Sequence, residues 1–300
     1  MNPLTLLLPI ALLQVGPNPR AIDTLGNDAG LKNRPERPVD PQEPIKLSDP
    51  NARWLAECLT QLETDAARAH TQAQIKRNAS FGEERVIANH CLGLAATELE
   101  LWSDATTAFG AARDETPEDQ VRSRARFGTM AGNAALGGGD AQRALALLET
   151  ANADSEAASS TTLQVIAALD MARALVALDR PEEALTPLES ATTLAPQESE
   201  GWLLKATLLR RLDRLEEAQS AIEAAVSIAP QETEIGLEAG VIAVLSGRTE
   251  AARSSWQSVI DVQPDSLAAQ RAKGYLEQIG PAHSTESVPE SETAQGGAPS

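Results

Sequence analysis

The sequence predicts an all-α protein built as a stack of antiparallel helix pairs, and three observations carry that prediction. Alanines and prolines recur every 34 residues: Ala184, Ala191 and Pro196, then Ala218, Ala225 and Pro230, then Ala252, Val259 and Pro264. Apolar residues make up 42% of the chain but aromatics only 3%, which suits helices meeting along thin alanine seams. Almost no alternating, β-branched run is present from which a sheet could form. A fixed period of this length marks a repeat architecture, in which each unit buries its apolar face only by stacking on the next.

In chain order, residues 1–15 come first and form an apolar segment with signal or anchor character. The run from Leu4 to Val15 has the length of a signal-peptide core and is too short for an ordinary membrane span. No Lys or Arg precedes it, and Pro17 after Gly16 disfavours cleavage there, so an apolar chain end beginning at a wrong start is the alternative. Export implies a periplasmic or cell-envelope protein; otherwise the chain is cytoplasmic. Residues 16–50 hold Pro17, Pro19, Pro35, Pro38, Pro41, Pro44 and Pro50, a composition that favours an extended, flexible spacer. The last segment, residues 280–300, has too little apolar surface to offset the entropy of ordering it, and disorder is expected.

Between these lie the helices, residues 51–279. The first hairpin, near 50–78, is degenerate: Trp54 and Cys58 fit a first helix, but the second has lost its alanine pattern. The next copy has Gly93, Ala105, Phe109, Ala112 and Pro117; the one after has Gly132, Ala144, Leu148 and Ala151, without a proline. Ala105, Ala144 and Ala184 are 39 and 40 apart, and the surplus is assigned to loops such as "NADSEAASS". Glu182, Glu216 and Glu250 open second helices, and Asp179 and Asp213, three residues earlier, read as N-caps; Gly247 takes that place in the third copy. A lone final helix, Ser266 to Ile279 with Gly274, is expected to cap the stack.

The best copy reads Trp202-x2-Lys205-Ala206-x2-Leu209, then Ala218-x3-Ile222, then Ala225 and Pro230. This resembles the tetratricopeptide-repeat (TPR) family, of bacterial type, although the family's tyrosine is missing and Lys205 replaces its leucine. The resemblance implies a right-handed α-solenoid of five to six repeats plus a capping helix, with partners held in a concave groove lined by the first helix of each pair. It covers residues 86–279 well. Small residues at fixed points let the paired backbones approach, and the bulky residue that follows is expected to fill a gap in the neighbouring repeat. Proline ends each second helix, because it has no N–H and clashes with the preceding turn.

Composition and motifs narrow the function. A formal charge of −18 repels a polyanion over most of the surface, so nucleic acid is not expected as a partner. No C-x-x-C, H-E-x-x-H, G-x-S-x-G or phosphate-loop motif occurs, so no enzyme and no cofactor is expected. The "GGGD" at Gly137 to Asp140 reads as the turn between two helices of one repeat. His90 beside Cys91 makes no metal pair, since helix neighbours point about 100° apart and no third ligand is in sight. Cys58 and Cys91, 33 residues apart, both fall in first helices that pack side by side; they form either a disulfide, in an exported chain, or two small buried contacts.

On the family's architecture, repeat positions two, five, nine and twelve of each first helix share one stripe on the concave side. These are Arg126, Thr129, Asn133 and Leu136; Ile166, Leu169, Arg173 and Val176; Glu200, Leu203, Thr207 and Arg210; Glu234, Leu237, Val241 and Val244. The partner-binding groove is therefore assigned to Arg126, Asn133, Leu169, Arg173, Leu203, Arg210 and Leu237. Its expected ligand is an apolar protein or peptide segment with an acidic group, held by Arg126, Arg173 and Arg210. Tight packing, or coverage by the proline-rich segment, is the alternative. The expected function is a non-catalytic interaction scaffold. The alternatives are an envelope-tethered assembly factor, touching membrane only through its N-terminus, and the accessory subunit of an enzyme.

Overall fold

A computed structural model describes residues 49–280. The apolar N-terminal segment, nearly all of the proline-rich spacer and the polar tail lie outside the described residues. Among these residues there are thirteen helices and no strand. They are α1 (Pro50–Thr64), α2 (Ala66–Ala79), α3 (Glu83–Glu98), α4 (Trp102–Glu115), α5 (Val121–Gly137), α6 (Ala141–Ala157) and α7 (Thr161–Ala177). The rest are α8 (Leu185–Leu194), α9 (Ser199–Arg211), α10 (Leu215–Ile228), α11 (Thr233–Leu245), α12 (Thr249–Val262) and α13 (Leu267–Ile279). Odd-numbered helices are the first of each pair, the A helices; even-numbered ones are the B helices. The fold is an α-solenoid. It divides into two compact units, the first ending at Leu208 within α9 and the second beginning at Leu209.

Proline sets where the B helices stop. α4, α8, α10 and α12 each end two residues before Pro117, Pro196, Pro230 and Pro264, because the residue before a proline is pushed out of the helical region. Where that proline is absent the helix runs on. Glu156 stands at the corresponding place after Ala144, and α6 continues to Ala157. The surplus residues predicted to lie in a loop are thus largely a longer helix. α8 shows the opposite effect at its start. Pro187 lies in its first turn, where its ring crowds the carbonyl four residues back, and residues 181–184 form turns, so Glu182 precedes the helix it was expected to open.

Asp179 and Asp213 are not N-caps. Both have positive φ, 58° and 59°, in the company of Gly139 at 77° and Gly247 at 76°. Each ends the preceding A helix in a left-handed turn. The Arg214 N–H reaches back to the Leu209 carbonyl and the Arg248 N–H to that of Ala243, as the Asp140 N–H does to Ala135. Aspartate tolerates this conformation better than most side chains, and glycine adopts it freely, which is why the two alternate here. Asp140 does cap a helix: its carboxylate accepts from the Arg143 N–H at 3.1 Å, so "GGGD" is a helix-to-helix turn.

The bulky residue of each B helix packs within its own repeat, not into the neighbouring one. Phe109 lies over Gly93, Leu148 over Gly132 and Trp256 over Gly240. A Cβ at these glycines would come within 2.5, 2.5 and 2.1 Å of the covering side chain. The larger groups are fully buried, and Trp256 donates its indole N–H to the Leu237 carbonyl at 3.1 Å. α13 caps the second unit, burying Ala268, Ala269 and Ala272 and setting Tyr275 5.1 Å from Trp256. Gly274 is in register with the A-helix glycines, yet nothing lies within 4 Å of its missing Cβ, since α13 is the last helix among the described residues.

Candidate functional site

Cys58 and Cys91 are joined as a disulfide with their Cα atoms 6.3 Å apart, linking α1 to α3. Cys58 is the sole buried residue of α1, while Trp54 and Leu55 pack beside it as partly buried groups. The bridge therefore supplies much of what holds the first helix in place.

The predicted stripe is partly core. Thr129, Asn133 and Leu169 are buried in the first unit; Leu237 and Val241 are buried in the second, within the cluster around Trp256. Arg126, Ile166, Arg173, Val176 and Leu203 remain half-buried on the A helices of the first unit. Small A-helix residues draw the helices together, and position five of α5, α7 and α11 and position nine of α5 and α11 are then covered by neighbours.

Two predicted arginines are held by carboxylates of the chain itself. In the first unit, Asp170 on α7 accepts from the Arg173 guanidinium at 2.6 Å and from the Asn133 amide of α5 at 3.0 Å, and Arg173 also bonds Glu200 of α9. In the second unit, Arg210 donates to Glu238 of α11 at 2.6 Å, a pair with side chains 19% and 11% exposed. Asp170 is buried, and burial raises its carboxyl above the ordinary value of 3.8, against the pull of Arg173 and the Asn133 hydrogen bond. Sequence reasoning missed Asp170 and Glu238. The signal for Asp170 was an acid three residues before Arg173 on an otherwise apolar helix.

The two pairs differ in what a partner could do with them. Glu200 is 56% exposed, so its hold on Arg173 is a surface interaction worth up to about 1 kcal/mol, which a ligand carboxylate can displace. Glu238 and Arg210 are enclosed together. Removing one would strand the other, at a cost of roughly 3–5 kcal/mol. The Arg173–Glu200 contact is thus exposed on its acidic side, and the Arg210–Glu238 pair is enclosed on both.

At the other end of the first unit, His90 occupies repeat position five of α3. It is enclosed by Phe127, with ring centroids 5.2 Å apart, and Phe109 at 6.5 Å. Burial, aided by the charge of Arg126, pushes its pKa down to about 3, so the ring is neutral. Its Nε2 and both amide atoms of Asn89 make no hydrogen bond. No group of three or more metal-ligating side chains occurs among the described residues, and no described helix is long and apolar enough to cross a membrane.

Residues 169–233 match the tetratricopeptide repeat family. Three solved structures are similar over most of their own length. PilF of Pseudomonas aeruginosa aligns over 75% of this chain and 97% of its own, with 16% identity and a TM-score of 0.56. MamA, from residue 41 to its end, of Desulfovibrio magneticus RS-1 aligns over 62% and 100%, with 16% identity and a TM-score of 0.51. YrrB, a TPR protein with an unusual peptide-binding site, aligns over 69% and 98%, with 22% identity and a TM-score of 0.46. At these identities the likeness establishes the fold alone. No curated protein matches the sequence.

Proposed function

We propose that this chain, whose fold is that of the tetratricopeptide-repeat proteins, is a non-catalytic scaffold that holds a peptide or partner subunit on the A-helix face of its first unit. The observation that carries this reading is the row of half-buried side chains there: Arg126, Ile166, Arg173, Val176 and Leu203. Apolar groups that a repeat array leaves half covered are suited to an apolar segment laid across them. Arg173, whose second carboxylate is the displaceable Glu200, selects one acidic group in that segment. This removes one arginine from the three-arginine expectation, because Arg210 is committed to Glu238.

Site-specific photo-crosslinking in the native host tests the proposal. A photoreactive residue at Ile166 or Val176 should capture a defined partner, and capture should fall when Arg173 is replaced by Ala. The same residue at Glu149, exposed on α6, should not capture that partner. Equal capture from both faces sinks the assignment.

A second reading concerns the compartment, and the Cys58–Cys91 disulfide favours it. Such bonds persist in oxidising surroundings. With the apolar run at residues 4–15, this supports a periplasmic or envelope-tethered scaffold. Fractionation of the native host with an antibody to the repeat domain tests it, and a cytoplasmic pool with two free thiols overturns it.

A further inference from the structure

The two helices of the first hairpin are held in different ways. α2 needs nothing from α1 to begin: Asp65, the one residue between them, accepts the Arg68 N–H on its carboxylate at 2.9 Å. α2 also buries Ala69 and Ala73 fully, and its Lys76 pairs with Glu84 of α3 at 3.0 Å. α1 buries Cys58 and no other residue. Trp54, Leu55 and Leu62 are half-buried, Leu59 is 37% exposed, and the hydroxyls of Thr60 and Thr64 donate within α1 itself. A helix of 15 residues is marginal in water unless it packs one face on a neighbour. With so thin a face, the place of α1 beside α3 depends on the covalent bond between Cys58 and Cys91.

We infer that the Cys58–Cys91 bond is a reversible redox latch: reduction by a dithiol frees α1 from α3 and leaves α2 and the repeats after it folded. Fraying of α1 admits the reductant. A thiolate of the dithiol attacks the sulfur of Cys58, the less enclosed of the pair at 5% exposed against 0%, and the Cys91 sulfur leaves as a thiolate. The second thiol of the reductant then attacks this mixed disulfide, closing the reductant's own disulfide and releasing Cys58. Two electrons enter the pair, and the two protons given up by the dithiol end on Cys58 and Cys91.

Release also changes the connection to the chain before Pro50, which is joined covalently to the repeats through α1. As a helix, the 15 residues of α1 span about 22 Å; freed and unfolded they reach up to about 50 Å. The latch therefore sets the length of that connection by the redox state of one bond.

Hydrogen exchange of the full chain, with and without dithiothreitol, tests the latch. On reduction the amides of Pro50–Thr64 should exchange at least about tenfold faster, while those of Ala66–Ala79 and Trp102–Glu115 keep their rates. Reoxidation with glutathione disulfide should restore protection in α1. The Cys58→Ser, Cys91→Ser variant should show the fast α1 rates whether or not dithiothreitol is present, which assigns the effect to this bond. Unchanged α1 rates in a chain whose two thiols are shown to be free by alkylation and intact mass overturn the proposal, since Trp54, Leu55 and Leu62 would then suffice to hold the helix. Faster exchange spread equally over α1, α2 and α4 overturns it as well, because the bond would then hold the whole end of the array.

Discussion

Asn133 and Asp170, on consecutive A helices, are tied by a 3.0 Å hydrogen bond from the amide to the carboxylate, with both side chains buried. The same carboxylate binds Arg173, so one acid joins α5 to α7 and positions that guanidinium. An ionised group in this place is costly unless each of its partners is present.

The first prediction follows from Asp170. Its folded pKa lies above 3.8, so between that value and the folded pKa the native state binds more protons than the unfolded chain. Stability from this group is complete below the unfolded pKa and is lost as pH rises through the folded one. Asp170→Asn removes the titration while keeping the shape. The difference in unfolding free energy, wild type minus Asp170→Asn, should therefore fall as pH rises above about 3.9, measured by urea denaturation. A difference that rises with pH would contradict the assignment.

Two glycines in regular helix should respond oppositely to alanine. At Gly240 a Cβ would sit 2.1 Å from the Trp256 indole nitrogen, and overpacking there should destabilise by about 1–3 kcal/mol. At Gly110 nothing lies within 4 Å, and alanine should stabilise α4 by up to about 1 kcal/mol. Thermal unfolding of the two variants decides it, and shifts of the same sign would be a failure.

The disulfide should matter chiefly to the first helix. Closing a loop of this length is worth roughly 3–4 kcal/mol on the chain-entropy model. α1 buries only Cys58, so the Cys58→Ser, Cys91→Ser variant should lose amide protection in Pro50–Thr64 before any other helix. Hydrogen exchange measures this, and alkylation of the wild type without reductant followed by intact-mass analysis should find no free thiol.

The two ion pairs should separate by burial. Arg210→Met leaves Glu238 enclosed without its charge partner and should cost about 3 kcal/mol. Glu200→Gln, at an exposed pair, should cost less than about 1 kcal/mol while leaving Arg173 more available to a partner carboxylate. Chemical denaturation gives both values, and equal costs would mean that burial does not distinguish the pairs.

Much of the repeat was legible because its signals are local. Pro117, Pro196, Pro230 and Pro264 end helices through their own covalent geometry, and Gly93, Gly132 and Gly240 leave room only a missing Cβ can leave. Gly247 also held a hint that went unread: glycine in the third copy, where aspartate stood in the other two, marks a left-handed turn and not a cap.

By itself, the sequence determined the helix pairs, their period, their terminators and the small-residue seams, since each depends on backbone sterics or on side chains a fixed distance apart along one helix. Tertiary structure decided what the stripe became. Whether Leu169 and Leu237 face a ligand or a neighbouring helix depends on how closely the repeats stack, and whether Arg173 and Arg210 are available depends on Glu200 and Glu238 arriving from 27 and 28 residues away. Helical periodicity specifies direction on one helix. It carries no information about the carboxylate that the next helix brings to meet it.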